Sequence, residues 1–123
     1  MAEDIDKRLA SASLHEGVPS LRAVKVSANT VGEAMKEAEG GAGQVELDWV
    51  LAKDIPDTPE NQDARRKRFA KARKMLKGDN YFFFPNAGLV SVPYVSWLAG
   101  EFWRHSALRD GDWHGDDRIV VLD

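Results

Sequence analysis

Residues 58–85 read TPENQDARRKRFAKARKMLKGDNYFFFP and hold the strongest structural signals in the chain. The opening Thr-Pro-Glu has the residue types of an N-cap, a first-turn proline and a first-turn acid, and Gly78 supplies a stop. This pattern predicts a long helix over 58–77. The aromatic run at 80–85 is bounded by turn residues, which favours a strand buried on both faces. A helix followed by a buried strand is typical of a mixed α and β fold.

The segments before this unit also alternate between strand and helix patterns. Residues 21–27 are rich in valine and suit a strand, and Thr30 with Glu33 has the spacing of a capping box that begins a short helix. Residues 44–52 alternate apolar and polar side chains, which predicts a strand with one solvated face. A helical pattern within residues 1–20 predicts an N-terminal helical segment ahead of the main domain.

The segments after the unit complete the predicted fold. Residues 93–108 open with a proline and place apolar side chains on one arc, which predicts a third helix. The Gly- and Asp-rich residues 110–117 are a loop, and residues 118–122 suit a last strand. We therefore predict a single domain of α/β or α+β class over residues 21–123. It has about four strands in one sheet, with three to four helices packed on it.

Composition excludes several classes of protein. The chain has 123 residues, the size of one domain, and it has no cysteine. Disulfides, thiolate metal sites and cysteine nucleophiles are therefore excluded. The first residues are acidic and lack an apolar run, so we expect neither a signal nor a transit peptide. No stretch approaches the roughly 20 apolar residues of a membrane span. We expect a cytoplasmic protein that does not contact a membrane.

Charge is distributed unevenly along the chain. Residues 64–78 hold eight of the 17 Lys and Arg residues and no acid, so the remainder has nine basic residues against all 20 acids. The segment therefore carries +8 and the remainder −11. Six of the eight cations share the outward arc of the predicted helix: Arg66, Lys67, Lys71, Arg73, Lys74 and Lys77.

This basic arc suggests an anionic partner. A cation that neutralises a phosphate releases a counterion, so such an arc would support salt-sensitive and largely sequence-independent binding of nucleic acid. An acidic protein surface is the second possible partner. The third interpretation is that the helix binds no ligand and that acidic side chains of the same domain neutralise its charge.

Two tryptophans project to the flanks of the predicted helix over 93–108. Because tryptophan is enriched at the centres of protein interfaces, Trp97 and Trp103 are candidate partner-binding residues. The alternative is that both side chains cover the core of the domain itself.

The same predicted helix carries an acid and a histidine four residues apart. On a helix, Glu101 and His105 could form a hydrogen bond and act as a catalytic acid/base pair in a cleft. The alternative is a buried histidine with no catalytic role.

The following loop places possible metal ligands at alternate positions. Its sequence resembles part of an EF-hand calcium loop, and the candidate ligands are Asp110, Asp112, His114 and Asp116. Val121 stands where that loop has its bidentate glutamate. An acidic turn without metal, or a counter-charge for the basic helix, explains the same residues.

No glycine-rich phosphate loop, nucleophile elbow or HExxH motif is present, so we predict no cofactor and favour a protein that is not an enzyme. The leading hypothesis is a binding or assembly module that docks an anionic partner through residues 64–78. One alternative is a self-assembling structural or accessory subunit, such as a virus-like one, which forms a homo-oligomer or larger assembly. The other is a small enzyme or metal-binding protein that uses Glu101, His105 and residues 110–117.

Overall fold

A computed structural model describes residues 18–88 and 90–123, so the predicted N-terminal segment lies almost entirely outside the described residues. The described residues form three helices, five strands and one short 3-10 turn. The helices are α1 (Val31–Glu37), α2 (Gln44–Val50) and α3 (Gln62–Met75), and the 3-10 turn Pro59–Asn61 precedes α3. The strands are β1 (Leu21–Val24), β2 (Tyr81–Phe83), β3 (Ser91–Leu98), β4 (Glu101–Leu108) and β5 (Asp117–Leu122).

The five strands form one sheet in the order β1-β5-β2-β3-β4. The β2–β5 pair is parallel, and the other three pairs are antiparallel. Strands β1 and β4 are therefore the two edges. The predicted class, a sheet of about four strands with three to four helices, is confirmed in its α+β form.

Helices cover both faces of the sheet. Helices α2 and α3 pack on one face, where Leu47 and Phe69 meet Phe82. Helix α1 packs on the opposite face, where Val31 meets Phe83. Successive side chains of a strand point to opposite faces, so Phe82 and Phe83 enter different clusters. The prediction that this strand is buried on both faces is confirmed.

The prediction of a strand over residues 44–52 is wrong, because this segment contains helix α2. The Glu46 carboxylate accepts a hydrogen bond from the Gly43 backbone N–H at 2.8 Å and stabilises the first turn. Leu47 and Val50, one turn apart, are fully buried, whereas Val45 is exposed. The short run of alternating residues thus also satisfies helical spacing.

The prediction of a helix over residues 93–108 is also wrong, because this segment belongs to the β3–β4 hairpin. Ala99 and Gly100 have φ values of 55° and 82°, and a two-residue loop with two positive φ angles matches the right-handed twist of a hairpin. Pro93 faces the chain just beyond the end of β2, where its carbonyl accepts from the Phe84 N–H. No residue within β2 therefore requires the backbone N–H that proline lacks.

Candidate functional site

Helix α3 is fixed at both ends by its own polar side chains. Before its first turn, the Asn61 amide donates to the Thr58 hydroxyl at 3.0 Å. After its last turn, the Arg73 guanidinium donates to the carbonyls of Leu76 and Gly78. Gly78 has a φ of 95°, which favours glycine and ends the helix. The helix predicted over 58–77 is confirmed over Gln62–Met75, with the 3-10 turn Pro59–Asn61 in place of its first residues.

The inner flank of α3 uses two arginines to join the helix to the segment after α2. Arg68 forms a two-pronged ion pair with Asp54, at 2.5 and 2.7 Å, and its guanidinium lies 5.0 Å from the Trp49 ring. The hydrogen bond from Arg68 lowers the pKa of Asp54. Arg65 donates to two carbonyls of the preceding turn and lies 3.7 Å from Asp57. Both arginines are therefore engaged by the fold.

The outer flank begins with two cations that share one carboxylate. Asp63 lies 3.0 Å from the Arg66 guanidinium and 3.4 Å from the Lys67 ammonium group. These contacts lower the pKa of Asp63, the hydrogen bond from Arg66 having the largest effect. All three side chains are exposed, so the pairs contribute little to stability and leave one charge in excess.

The remaining outward cations have no carboxylate partner among residues 18–88 and 90–123. They are Lys71, Arg73, Lys74 and Lys77, and Arg73 also lies 5.0 Å above the Trp97 ring. Six outward positive charges against the one negative charge of Asp63 leave +5 on the outer flank. The interpretation that this helix is neutralised by its own fold therefore holds for the inner flank alone.

A groove of about 630 Å³ runs between the outer flank of α3 and the tip of the β3–β4 hairpin, and we call it the basic groove. Five of the six outward cations line it, with Trp97 and Gly100 on the hairpin side. A second depression of about 490 Å³ shares Lys74 and Lys77 with it and extends to Arg118. The positive surface thus continues around the C-terminal end of α3.

The two predicted partner-binding tryptophans lie on opposite faces of the hairpin. Trp97 lies in the basic groove, and its ring meets the Phe102 ring edge-on at 4.8 Å. Trp103 points to the α1 face, and its indole N–H donates to the Leu98 carbonyl at 3.1 Å. Trp97 is opposite Phe102 on β4 and shares its face, whereas Trp103 follows Phe102 and points to the other face, so only Trp97 belongs to the groove.

The candidate acid/base pair is separated by the strand geometry. Four residues of strand place Glu101 and His105 roughly 13 Å apart, so the helical contact on which the pair depended is lost. His105 instead lies 2.9 Å from the Ser96 hydroxyl and stacks on Tyr94 at 5.0 Å. The alternative of a buried histidine is also wrong, because His105 is exposed.

The acidic loop serves as a cover for the sheet. The Trp113 indole donates to the Val26 carbonyl, and the Asp116 carbonyl accepts from the Asn80 amide. The four candidate metal ligands, Asp110, Asp112, His114 and Asp116, lie along this loop. In the part of the chain that the structure describes, no three His, Asp or Glu side chains are grouped so that they could hold a metal ion.

Asp117 is a buried acid that sequence patterns do not reveal. Its Oδ2 accepts from the His114 backbone N–H, whereas its Oδ1 has no hydrogen-bond partner within the described residues. Burial raises the pKa of Asp117. Its position at the first residue of β5 identifies it as part of the packing between the loop and the sheet.

Comparison with protein-family models, curated proteins and solved structures finds no match to this chain. Among the described residues, none of the helices has the length and hydropathy of a membrane span.

Proposed function

We propose that this protein is a non-enzymatic binding module that docks nucleic acid in the basic groove. The observation that carries this proposal is the excess of charge on the outer flank of α3, where six cations face a single carboxylate. Phosphate groups supply the missing negative charge, and their binding releases condensed counterions.

The spacing of the cations supports a ligand with repeating charge. From Arg66 to Lys74 the helix rises roughly 12 Å, the axial length of about three to four phosphates on one strand, and Lys77 lies just beyond the end of the helix. Arg73 and Lys74 lie in the last turn, where the helix dipole favours a cation, and no carboxylate within the described residues pairs with either of them. An extended polyanion therefore fits this row of charges better than a single small anion.

The hairpin side of the groove favours nucleic acid over an acidic protein. Arg73 stacks on Trp97 and presents a planar, positively charged surface beside the row of lysines. Aromatic and guanidinium planes next to a basic track are typical of surfaces that bind single strands, because every base offers a face for stacking. A protein surface rich in Asp and Glu would bind the positive charges of the groove but has no bases to stack on the Arg73 guanidinium or the Trp97 ring.

The test is a titration of labelled random-sequence single strands and duplexes across roughly 50 to 200 mM salt. We expect log K to fall with log salt with a slope of about −2 to −4 for single strands, as expected when three to five phosphates are neutralised. The triple variant Lys67→Glu, Lys74→Glu and Lys77→Glu, whose lysines all line the basic groove, should lose at least 100-fold in affinity at low salt.

A triple variant with the same change in net charge is the matched control. It is Lys25→Glu, Lys36→Glu and Lys53→Glu, whose lysines lie outside the basic groove. This control should keep most of its affinity and its salt slope. Equal losses in both variants, or no salt-dependent binding by the native chain, would overturn the proposal. Binding of an acidic polypeptide without nucleic-acid binding would identify the other partner class.

A further inference from the structure

The two edges of the sheet differ greatly in length and cover. Edge strand β1 has four residues, whereas β4 has eight, of which six are exposed. Within residues 18–88 and 90–123, no strand pairs with the outer side of β4. A long edge with unpaired N–H and C=O groups is a template for another strand.

The side chains of this edge protect it only in part. Trp103 and Leu108 are 49% and 63% exposed, and the other exposed side chains of β4 are polar: Glu101, Arg104, His105 and Ser106. Strand β4 contains neither proline nor lysine, the residues that commonly block edge-to-edge pairing. A long edge without proline or lysine is the sheet feature that a second strand would complete.

We propose that β4 pairs antiparallel with β4 of a second copy, so that the two five-stranded sheets join across a two-fold axis. Residues opposite each other in an antiparallel pair point to the same face of the sheet, and neighbours on a strand point to opposite faces. The axis must therefore pass through one residue that faces its own copy. Only a few registers of β4 satisfy this condition.

The charges of β4 select among these registers. An axis through Arg104 would oppose two guanidinium groups. An axis through Trp103 opposes two indole rings and sets Glu101 against the partner's His105, once on each side of the axis. On the other face it sets Phe102 against the partner's Arg104. Aromatic pairs and acid–base pairs are favourable cross-strand neighbours, so we assign the axis to Trp103.

The dimer has a consequence for the basic groove, and this consequence alone rests on the proposed function. A two-fold axis perpendicular to the sheet keeps the α2/α3 face of both copies on the same side. Two outer flanks, each with six cations and one carboxylate, then share one surface. A nucleic acid that spans both grooves would bind at two places, and its avidity would exceed that of a short one.

Sedimentation equilibrium of the full chain without nucleic acid tests the dimer. We expect a concentration-dependent monomer–dimer equilibrium. Trp103→Lys should raise the dimer dissociation constant at least tenfold. Tyr81→Lys is the matched control, because Tyr81 is a similarly exposed aromatic residue on the same face, two strands from the edge. A native chain that stays monomeric at high concentration, or forms open-ended oligomers, would overturn the proposal.

Charge exchange and crosslinking test the register. Glu101→Lys should weaken the dimer, and adding His105→Glu should restore it, because the pair is then reversed on both sides of the axis. The native chain has no cysteine, so single cysteines report cleanly. A disulfide should form faster in Trp103→Cys than in His105→Cys, since only the residue on the axis meets its own copy. The opposite order would contradict the register.

The two proposals fail separately. Dimer formation is measured without nucleic acid. If no dimer forms, that result rejects the pairing of β4 with a second copy and says nothing about binding in the basic groove. Conversely, a dimer that binds no nucleic acid rejects the proposed function and keeps the pairing. Loss of avidity for long strands in Trp103→Lys, with unchanged affinity for short ones, would support both.

Discussion

The two flanks of α3 carry the same kinds of side chain and use them differently. On the inner flank, the side chains of Arg65 and Arg68 are 16% and 13% exposed and are held by carbonyls and carboxylates. On the outer flank, Arg66 and Lys67 are 69% and 77% exposed and share Asp63. Burial and a fixed partner make an arginine part of the fold, whereas exposure leaves its charge available to a ligand.

The strongest way to test this division is to remove the apolar anchor of the inner flank. Phe69 is buried between α3 and the sheet, and the Arg65 guanidinium lies 5.5 Å from its ring. Phe69→Ala should lower the free energy of unfolding by about 3 to 5 kcal/mol, because it leaves a cavity and removes the ring beneath Arg65. Denaturant titration measures this loss.

A neighbouring substitution on the outer flank supplies the control for Phe69→Ala. Lys71→Ala should change the free energy of unfolding by no more than about 0.5 kcal/mol, because the lysine is exposed and no carboxylate within the described residues pairs with it. Comparable losses in the two variants would show that the flanks are not divided as the structure indicates.

A smaller effect is expected at the Arg68–Asp54 pair. Asp54→Asn should cost roughly 1 kcal/mol near neutral pH, the upper end for a partly exposed ion pair. Because Arg68 holds the pKa of Asp54 below its ordinary value of 3.8, the carboxylate stabilises the fold above that value. This contribution is lost as the pH falls through the lowered pKa, so native chain and variant should converge in strong acid.

Denaturant titrations at neutral and at strongly acidic pH measure this convergence. Asp48→Asn is the control, since Asp48 accepts a hydrogen bond from Gln44 but pairs with no cation among the described residues. A difference between Asp54→Asn and the native chain that persists in strong acid would contradict an electrostatic origin.

The fold could be predicted from sequence where one signal dominated. Helix α3 was predicted correctly from the turn and cap residues around it, and β2 from its aromatic residues. No other structural pattern fits these two segments equally well. Residues 44–52 failed because alternation over so short a run also places Leu47 and Val50 on one helical face. The prediction for residues 93–108 failed because Ala99-Gly100 lacks the usual Asn or Asp of a tight hairpin loop. The two strands were therefore predicted as one amphipathic helix.

The site could be predicted only in part, for the same physical reason. The identity of the outward cations follows from helical geometry, and the helix was correct. The position of Trp97 beside Arg73 depends on the hairpin, which periodicity did not reveal. The sharing of Asp63 depends on local rotamers that no spacing rule determines. Contacts within one element were therefore accessible from sequence, and contacts between elements were not.

A small effect on stability, and the sharpest effect on binding, is expected at Asp63, the only carboxylate among the described residues that line the basic groove. Asp63→Asn removes two exposed ion pairs, which contribute little to stability, so the free energy of unfolding should change little. It also raises the charge of the outer flank from +5 to +6, because Arg66 and Lys67 no longer share a carboxylate. Affinity for single strands at low salt should therefore rise several-fold, with a salt slope steeper by roughly 0.7.

The titration of labelled single strands across the salt series measures this rise in affinity. Glu60→Gln is the control, because it makes an equal change in net charge outside the groove. An unchanged or lower affinity would mean that Arg66 and Lys67 do not contact the ligand.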